Sequence, residues 1–197
     1  MHDWSVDDHL DPEIPLTIET ARLTLKAPVP EDAAWLQVAI LESLEELQPW
    51  IPWAQELPTI EILRAKADEA RIKMDRREYL GWRIFLKGTD FIVGTIDLFH
   101  WDWHIPKCEI GYWGRTPQVG RGYVTEAVKA VMAVACNGFG ARRIEALCDA
   151  RNLPSQRLLE RIGFTRESVL HGHEPDVTGE PCDQVLYAWH PPESVKE

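Results

Sequence analysis

Val119-Gly120-Arg121-Gly122-Tyr123-Val124-Thr125-Glu126 is the stretch from which the rest of the chain is read. Two glycines, one residue apart, stand where a loop gives way to a strongly helical pattern. Such a turn points several backbone N–H groups one way. The helix behind it adds its unpaired first-turn donors and the positive end of its dipole. Together these suit a phosphate, although glycine pairs before helices also serve packing alone. It is not a Walker loop, because no Lys-Ser/Thr follows, and the third glycine of a dinucleotide fingerprint is missing.

Outward from this turn, Val124, Ala127, Val128, Val131, Met132 and Ala135 keep i, i+3, i+4, i+7 spacing. They predict a helix from about Tyr123 to Cys136, stopped by Asn137-Gly138 and Gly140. Upstream, Trp82–Leu86, Phe91–Phe99 and Cys108–Arg115 read as three antiparallel strands, the first two joined by Lys87-Gly88-Thr89-Asp90. Thr17–Lys26 alternates as one strand. Leu36, Ile40, Leu44 and Leu47 hold one helix. Thr59 caps another that carries Ile60, Leu63, Ala67, Ala70 and Met74. Downstream, Arg143–Asp149 is a strand, Asn152 caps a helix stopped by Gly163, and extended chain leads to a strand at Asp183–Trp189.

The order is β-α-α-β-β-β-α-β-α-β-β. It implies an α/β (α+β) fold with a mixed, mostly antiparallel sheet and helices on both faces. The expected organisation is an arm at 1–16, one domain at 17–190 and a tail at 191–197.

With 197 residues the chain builds one substantial core. A net charge of −11 argues against a nucleic-acid partner, which needs a basic surface. Cys108, Cys136, Cys148 and Cys182 form no CxxC pair and read as reduced. The acidic start and short apolar runs predict no signal peptide, no membrane span and a cytoplasmic location.

Asn152-Leu153-Pro154-Ser155-Gln156-Arg157-Leu158-Leu159-Glu160-Arg161-Ile162-Gly163-Phe164 has the form N-x-x-S-x-[RK]-[VL]-x-E-[KR]-x-G-F. With the glycine turn and Cys108–Trp113, the chain resembles the GNAT superfamily of acetyltransferases, most closely its RimJ/RimL-like branch. Glu42–Trp53 is similar to that branch too, and the resemblance runs from about Ile18 to Trp189.

The resemblance implies acetyl-CoA as co-substrate and no metal. Backbone amides of Gly120, Arg121, Gly122, Tyr123, Val124 and Thr125 would hold the pyrophosphate. Against the family pattern, Val119 replaces a Gln/Arg and Val124 a final Gly/Ala, so Val124 would crowd the turn. The third meander strand would splay and offer Trp113, Gly114 and Arg115 to the pantetheine. Ser155 would hydrogen-bond the leaving CoA sulfur, and Asn152 would cap its helix and touch the cofactor. Glu109 is either a general base or an exposed strand carboxylate. Glu174 lies near a second catalytic acid of RimL-like enzymes.

Trp50, Trp53 and Trp101 are candidate walls of an acceptor groove. His100, Asp102 and His104 point one way if extended, which suits a groove rim or open solvent better than a metal site. The expected reaction is acetyl transfer to a primary amine by direct attack in a ternary complex. A protein N-terminal α-amine is favoured and a small amine is the alternative. A non-catalytic acyl-CoA-binding module is the rival of another class. A homodimer is expected from the family.

Overall fold

The computed structural model describes residues 13–192. The arm expected at 1–16 and the tail at 191–197 lie largely outside them. Residues 13–16 that are described dock on the domain: Trp82 Nε1 donates to Pro15 O at 2.8 Å, and Ala27 N to Leu16 O at 2.8 Å.

The elements are β1 (Thr17–Glu19), β2 (Leu23–Lys26), α1 (Ala33–Leu41), α2 (Leu44–Leu47), α3 (Ile60–Asp75), β3 (Tyr79–Leu86), β4 (Ile92–Asp102), β5 (Lys107–Gly114), α4 (Tyr123–Ala133), β6 (Arg143–Asp149), α5 (Leu153–Ile162), β7 (Thr165–Pro175) and β8 (Pro181–Trp189). α4 runs on through a π turn, Val134–Gly138.

Two predicted elements split. The strand expected at Thr17–Lys26 is a two-strand hairpin, with Thr20 N and Leu23 O joined at 2.9 Å. The reason lies in parity. Ile18 is even-numbered and Leu23 and Leu25 are odd, so one unbroken strand would send them to opposite faces. The helix expected over Leu36–Leu47 breaks between Leu41 and Leu44, where Ser43 turns its Oγ back onto Ala39 O at 2.8 Å.

The eight strands form one sheet in the order β1-β2-β3-β4-β5-β6-β8-β7. Neighbours are antiparallel except β5 and β6. α4 and α5 cover one face, with Val128, Val131 and Leu159 against Trp82, Ile96, Ile110 and Tyr187. α1 and α3 cover the other, with Leu36, Ile40 and Leu63 against Phe85, Ile92 and Trp113. Among the described residues, no helix is long and apolar enough to cross a membrane.

Candidate active site

β5 and β6 separate as they run. Among the described residues they pair over Lys107–Arg143, Cys108–Ile144 and Glu109–Glu145. Beyond Glu109, β5 stays with β4 as far as Gly114, while β6 stays with β8 as far as Asp149. The result is a wedge in the sheet, flanked by the N-termini of α4 and α5. One side of each strand there is left without a ladder.

At one rim of the wedge, Gly120 and Gly122 have φ of 80° and 78°, and Gly122 is the N-cap of α4. Both lie in the left-handed region that glycine enters without strain. The turn is fastened from the connection between β1 and β2. Arg22 Nη1 donates to Arg121 O at 2.9 Å, and Arg22 Nε to Glu126 Oε2 at 2.6 Å. Thr20 Oγ1 adds a hydrogen bond to Glu126 Oε1 at 2.7 Å. Arg22 thus neutralises the acid that stands in the first turn of α4. Val124 is not loose: its Cγ2 lies 2.8 Å from where a Cβ on Gly114 would sit. The missing side chain at 114 accommodates the branched one at 124. Thr125 lies half-buried in the same turn of α4.

At the other rim, Asn152 Oδ1 accepts from Ser155 N at 3.2 Å, capping α5. That leaves the Ser155 hydroxyl free to meet Tyr112 Oη at 3.1 Å, across the wedge from α5 to β5. The Cys148 thiol, on β6, is the other neighbour of Ser155. Burial pushes the Cys148 thiol up to about 11. Burial also raises Tyr112, with the Ser155 hydrogen bond opposing. Ser155 is therefore framed by neutral groups at neutral pH and can donate.

The odd-numbered residues of β5 look the other way. Register places Glu109, Gly111 and Trp113 beside Phe99, Asp97 and Thr95 of β4, which pair with Tyr79, Gly81 and Arg83 of β3. Above this face, under α1 and α3, lies a cavity of about 600 Å³. Asp97 is half-buried at its floor. Desolvation pushes its carboxyl up to about 7, and a hydrogen bond from Tyr79 pulls it back down. Burial, and after it the charge of Asp97, raises the Tyr79 phenol. Two glycines make room for the pair. A Cβ on Gly111 would sit 2.8 Å from Asp97 Oδ1, and one on Gly81 would collide with the Tyr79 ring. Arg83 is buried nearby, 3.0 Å from Asp32 Oδ2 and donating to Val29 O at 2.7 Å.

The other expected site residues scatter. Glu109 shares the cavity face, but its Oε1 is 2.9 Å from His100 Nδ1 at the hairpin end. Trp113 packs in the α1/α3 core, with its ring 6.3 Å from Trp53, and Trp53 lines the cavity. Trp50 is half-buried in the loop before Trp53. Trp101 stacks on Trp103 at 4.5 Å and against Phe139, at the far end of the hairpin from Asp97. Asp102 closes that end by accepting from His104 N and Ile105 N. Glu174 is exposed on β7, opposite Cys182. The Arg115 guanidinium grips Glu42 at 2.8 Å and Ile92 O at 3.0 Å, and its amide donates to Val93 O at 2.8 Å. Arg115 thus ties α1 to the sheet and has no free main-chain donor.

Sequence reasoning missed Asp97, Tyr79, Tyr112 and Gly111. Asp97 alternates with Thr95 along β4, as residues of a solvent-facing side do. No spacing marks the glycines that make room for the pair.

The sequence profile of the acetyltransferase (GNAT) domain matches residues 22–165, and the chain belongs to this family. Bacillus subtilis YjcK, named a probable N-acetyltransferase, is 32% identical over 117 residues, which is 59% of this chain and 65% of YjcK. The match thus spans just under two thirds of that relative. YdaF of the same organism, named as a candidate ribosomal N-acetyltransferase, is 28% identical over 148 residues, 74% of this chain and 79% of YdaF. Among solved structures, Mycobacterium smegmatis RimJ in complex with CoA-disulfide superposes with a TM-score of 0.84 at 24% identity, covering 94% of this chain and 92% of RimJ. RimL, the ribosomal L7/L12 alpha-N-protein acetyltransferase in complex with coenzyme A, gives 0.80 at 22% identity, covering 90% and 97%.

Proposed function

We propose that this chain transfers the acetyl group of acetyl-CoA to a primary amine by direct attack within a ternary complex. One observation carries the reading. The stretch Gly111–Trp113 of β5 separates a hydroxyl pair at the wedge, Tyr112 and Ser155, from a carboxylate at the cavity floor, Asp97. A thioester lying in the wedge is reached from one side by an amine and from the other by a hydrogen-bond donor to sulfur.

The residues present fit the co-substrate. The first-turn amides of α4 and the glycine turn suit a pyrophosphate. The unladdered edge of β5 suits the amides of a pantetheine arm, and an N–H there suits the carbonyl oxygen as it gains charge. Asn152 acts as the cap that aims Ser155.

In the transfer, the amine nitrogen bonds to the thioester carbonyl carbon. Its surplus proton passes to the Asp97 carboxylate, the C–S bond breaks, and Ser155 donates to the departing sulfur. A carboxyl near 7 suits the base, because a catalytic group works best with its pKa near the operating pH. A free α-amine at ~7.7–8.0 is roughly a tenth neutral near pH 7, against a few parts in ten thousand for a lysine at ~10.4. An α-amine acceptor therefore needs the more modest base. Glu109 and Glu174 are the further carboxylates for which this role was expected. The first pairs with His100, and the second lies on β7.

The names of YdaF and RimL support a protein N-terminal α-amine as acceptor. The size and mostly apolar walls of the cavity support a second reading, a small amine. A thiol-release screen over N-terminal peptides, polyamines and other amines tests the transfer itself. CoA release with one amine supports the enzyme. Acetyl-CoA binding without release from any amine supports a non-catalytic acyl-CoA-binding module instead.

A further inference from the structure

We propose, resting on the transfer reading above, that the acceptor is a small primary amine with a single ammonium group and an apolar, ring-sized body. Its nitrogen lies over Asp97 and its body runs under α3, toward Trp53.

Size comes first. About 600 Å³ is the volume of a site for a compact organic molecule. The walls come next. Leu36, Ile40, Ile51, Leu57, Leu63 and Trp53 line the cavity from α1, α3 and the turn between them. These side chains reward apolar surface, and the Trp53 indole also offers an aromatic face.

Charge narrows the class further. Asp97 is the carboxylate at the floor. Arg83 beside it is already engaged by Asp32 and by Val29 O. At the rim, Glu56 and Lys66 carry opposite signs. A single ammonium thus meets one carboxylate, flanked by the Phe99 and Tyr79 rings. The second and third ammonium groups of a polyamine would rest against aliphatic walls, with only Glu56 at the rim to meet them and the like charge of Lys66 opposing, which is costly. The hydroxyls of an amino-sugar would lose water and find few partners beyond Thr95 and the Trp53 N–H on these mostly apolar walls. A peptide meets the same obstacle through its amides. The hydroxyl of Thr59, at the cavity edge, is already taken as the cap of α3, accepting from Ile62 N at 3.3 Å.

The test is steady-state thiol release by the full chain with acetyl-CoA and a panel of acceptors: 2-phenylethylamine, hexylamine, methylamine, spermidine, an aminoglycoside, and peptides beginning with Ser, Ala or Met. We expect kcat/KM for 2-phenylethylamine and hexylamine to exceed that for methylamine and spermidine by about a hundredfold, as apolar contacts each contribute about tenfold or more. Two substitutions report on the cavity. Ala70→Leu fills it from α3, and Ile62→Trp crowds its mouth from an exposed position that leaves the core untouched. Each should raise KM for 2-phenylethylamine about tenfold while the Kd of acetyl-CoA stays unchanged. Peptides or spermidine turned over with higher kcat/KM than the apolar amines overturn this proposal and leave the transfer reading standing. So does an unchanged KM in both variants. No release with any amine, with acetyl-CoA still bound, overturns both.

Discussion

The two faces of β5 make an instructive pair. Its even-numbered side holds Tyr112 against Ser155, at a wedge built by strand divergence and two helix N-termini. Its odd-numbered side holds Gly111 against Asp97, at the floor of a cavity assembled from β3, β4, β5, α1, α3 and the turn before α3. The first face depends mostly on backbone: amides, caps and left-handed glycines, so few of its side chains are obligatory. The second depends on side chains drawn from distant parts of the chain. Donor recognition can therefore persist while acceptor choice changes.

The largest expected effect breaks the acceptor face alone. Asp97→Asn keeps the shape and removes the base. We expect kcat to fall ~10²-fold or more, the range for a positioned proton acceptor. Calorimetric affinity for acetyl-CoA should not change. A variant with wild-type kcat would take Asp97 out of the mechanism.

Ser155→Ala breaks the donor face. A thiol near ~8.5 leaves without much acid help, so kcat should drop only about tenfold. KM for the amine should hold. An unchanged kcat would reduce Ser155 to a residue in the first turn of α5.

A smaller loss should follow from Arg22→Ala. It leaves the Glu126 carboxylate without its cation beside the phosphate turn. The Kd of acetyl-CoA should rise roughly fivefold, about 1 kcal/mol, and more at low salt than at high. No change in Kd would mean that the turn holds its shape without the clamp.

Tyr79→Phe should have the smallest effect, and it is read in a pH profile. The base works when ionised, so kcat/KM should rise with pH through about 7. The Tyr79 hydrogen bond lowers the Asp97 pKa. Removing it raises that pKa, so the acid limb should move to higher pH, with the plateau at alkaline pH little altered. A shift to lower pH would contradict the assigned donor.

The same contrast explains what was legible. The helix at Tyr123, the Asn152 cap, Ser155 and the two glycines lie in contiguous stretches whose local chemistry is self-contained. Each was readable from the order of residues. That Val124 packs over Gly114 could not be read, because Gly114 sits on another element. Arg115 is expected to offer its main chain to the pantetheine, but its amide donates to Val93 O of β4, a partner from another strand. Trp101 was placed with Trp53 as a groove wall. The length of the β4–β5 hairpin puts it instead against Phe139. The hairpin at Thr17–Lys26 is legible only in the parity of Ile18 against Leu23, a weaker signal than the alternation that suggests one strand.

By itself, the sequence determined the order of elements, the glycine turn and the helix caps, because these rest on periodicity and on groups a few residues apart. Tertiary structure alone decided that Asp97 is desolvated, that Tyr79 reaches it over Gly81, and that Tyr112 meets Ser155. Desolvation and cross-strand distance arise only when a sheet is closed by its helices, so no local pattern encodes them.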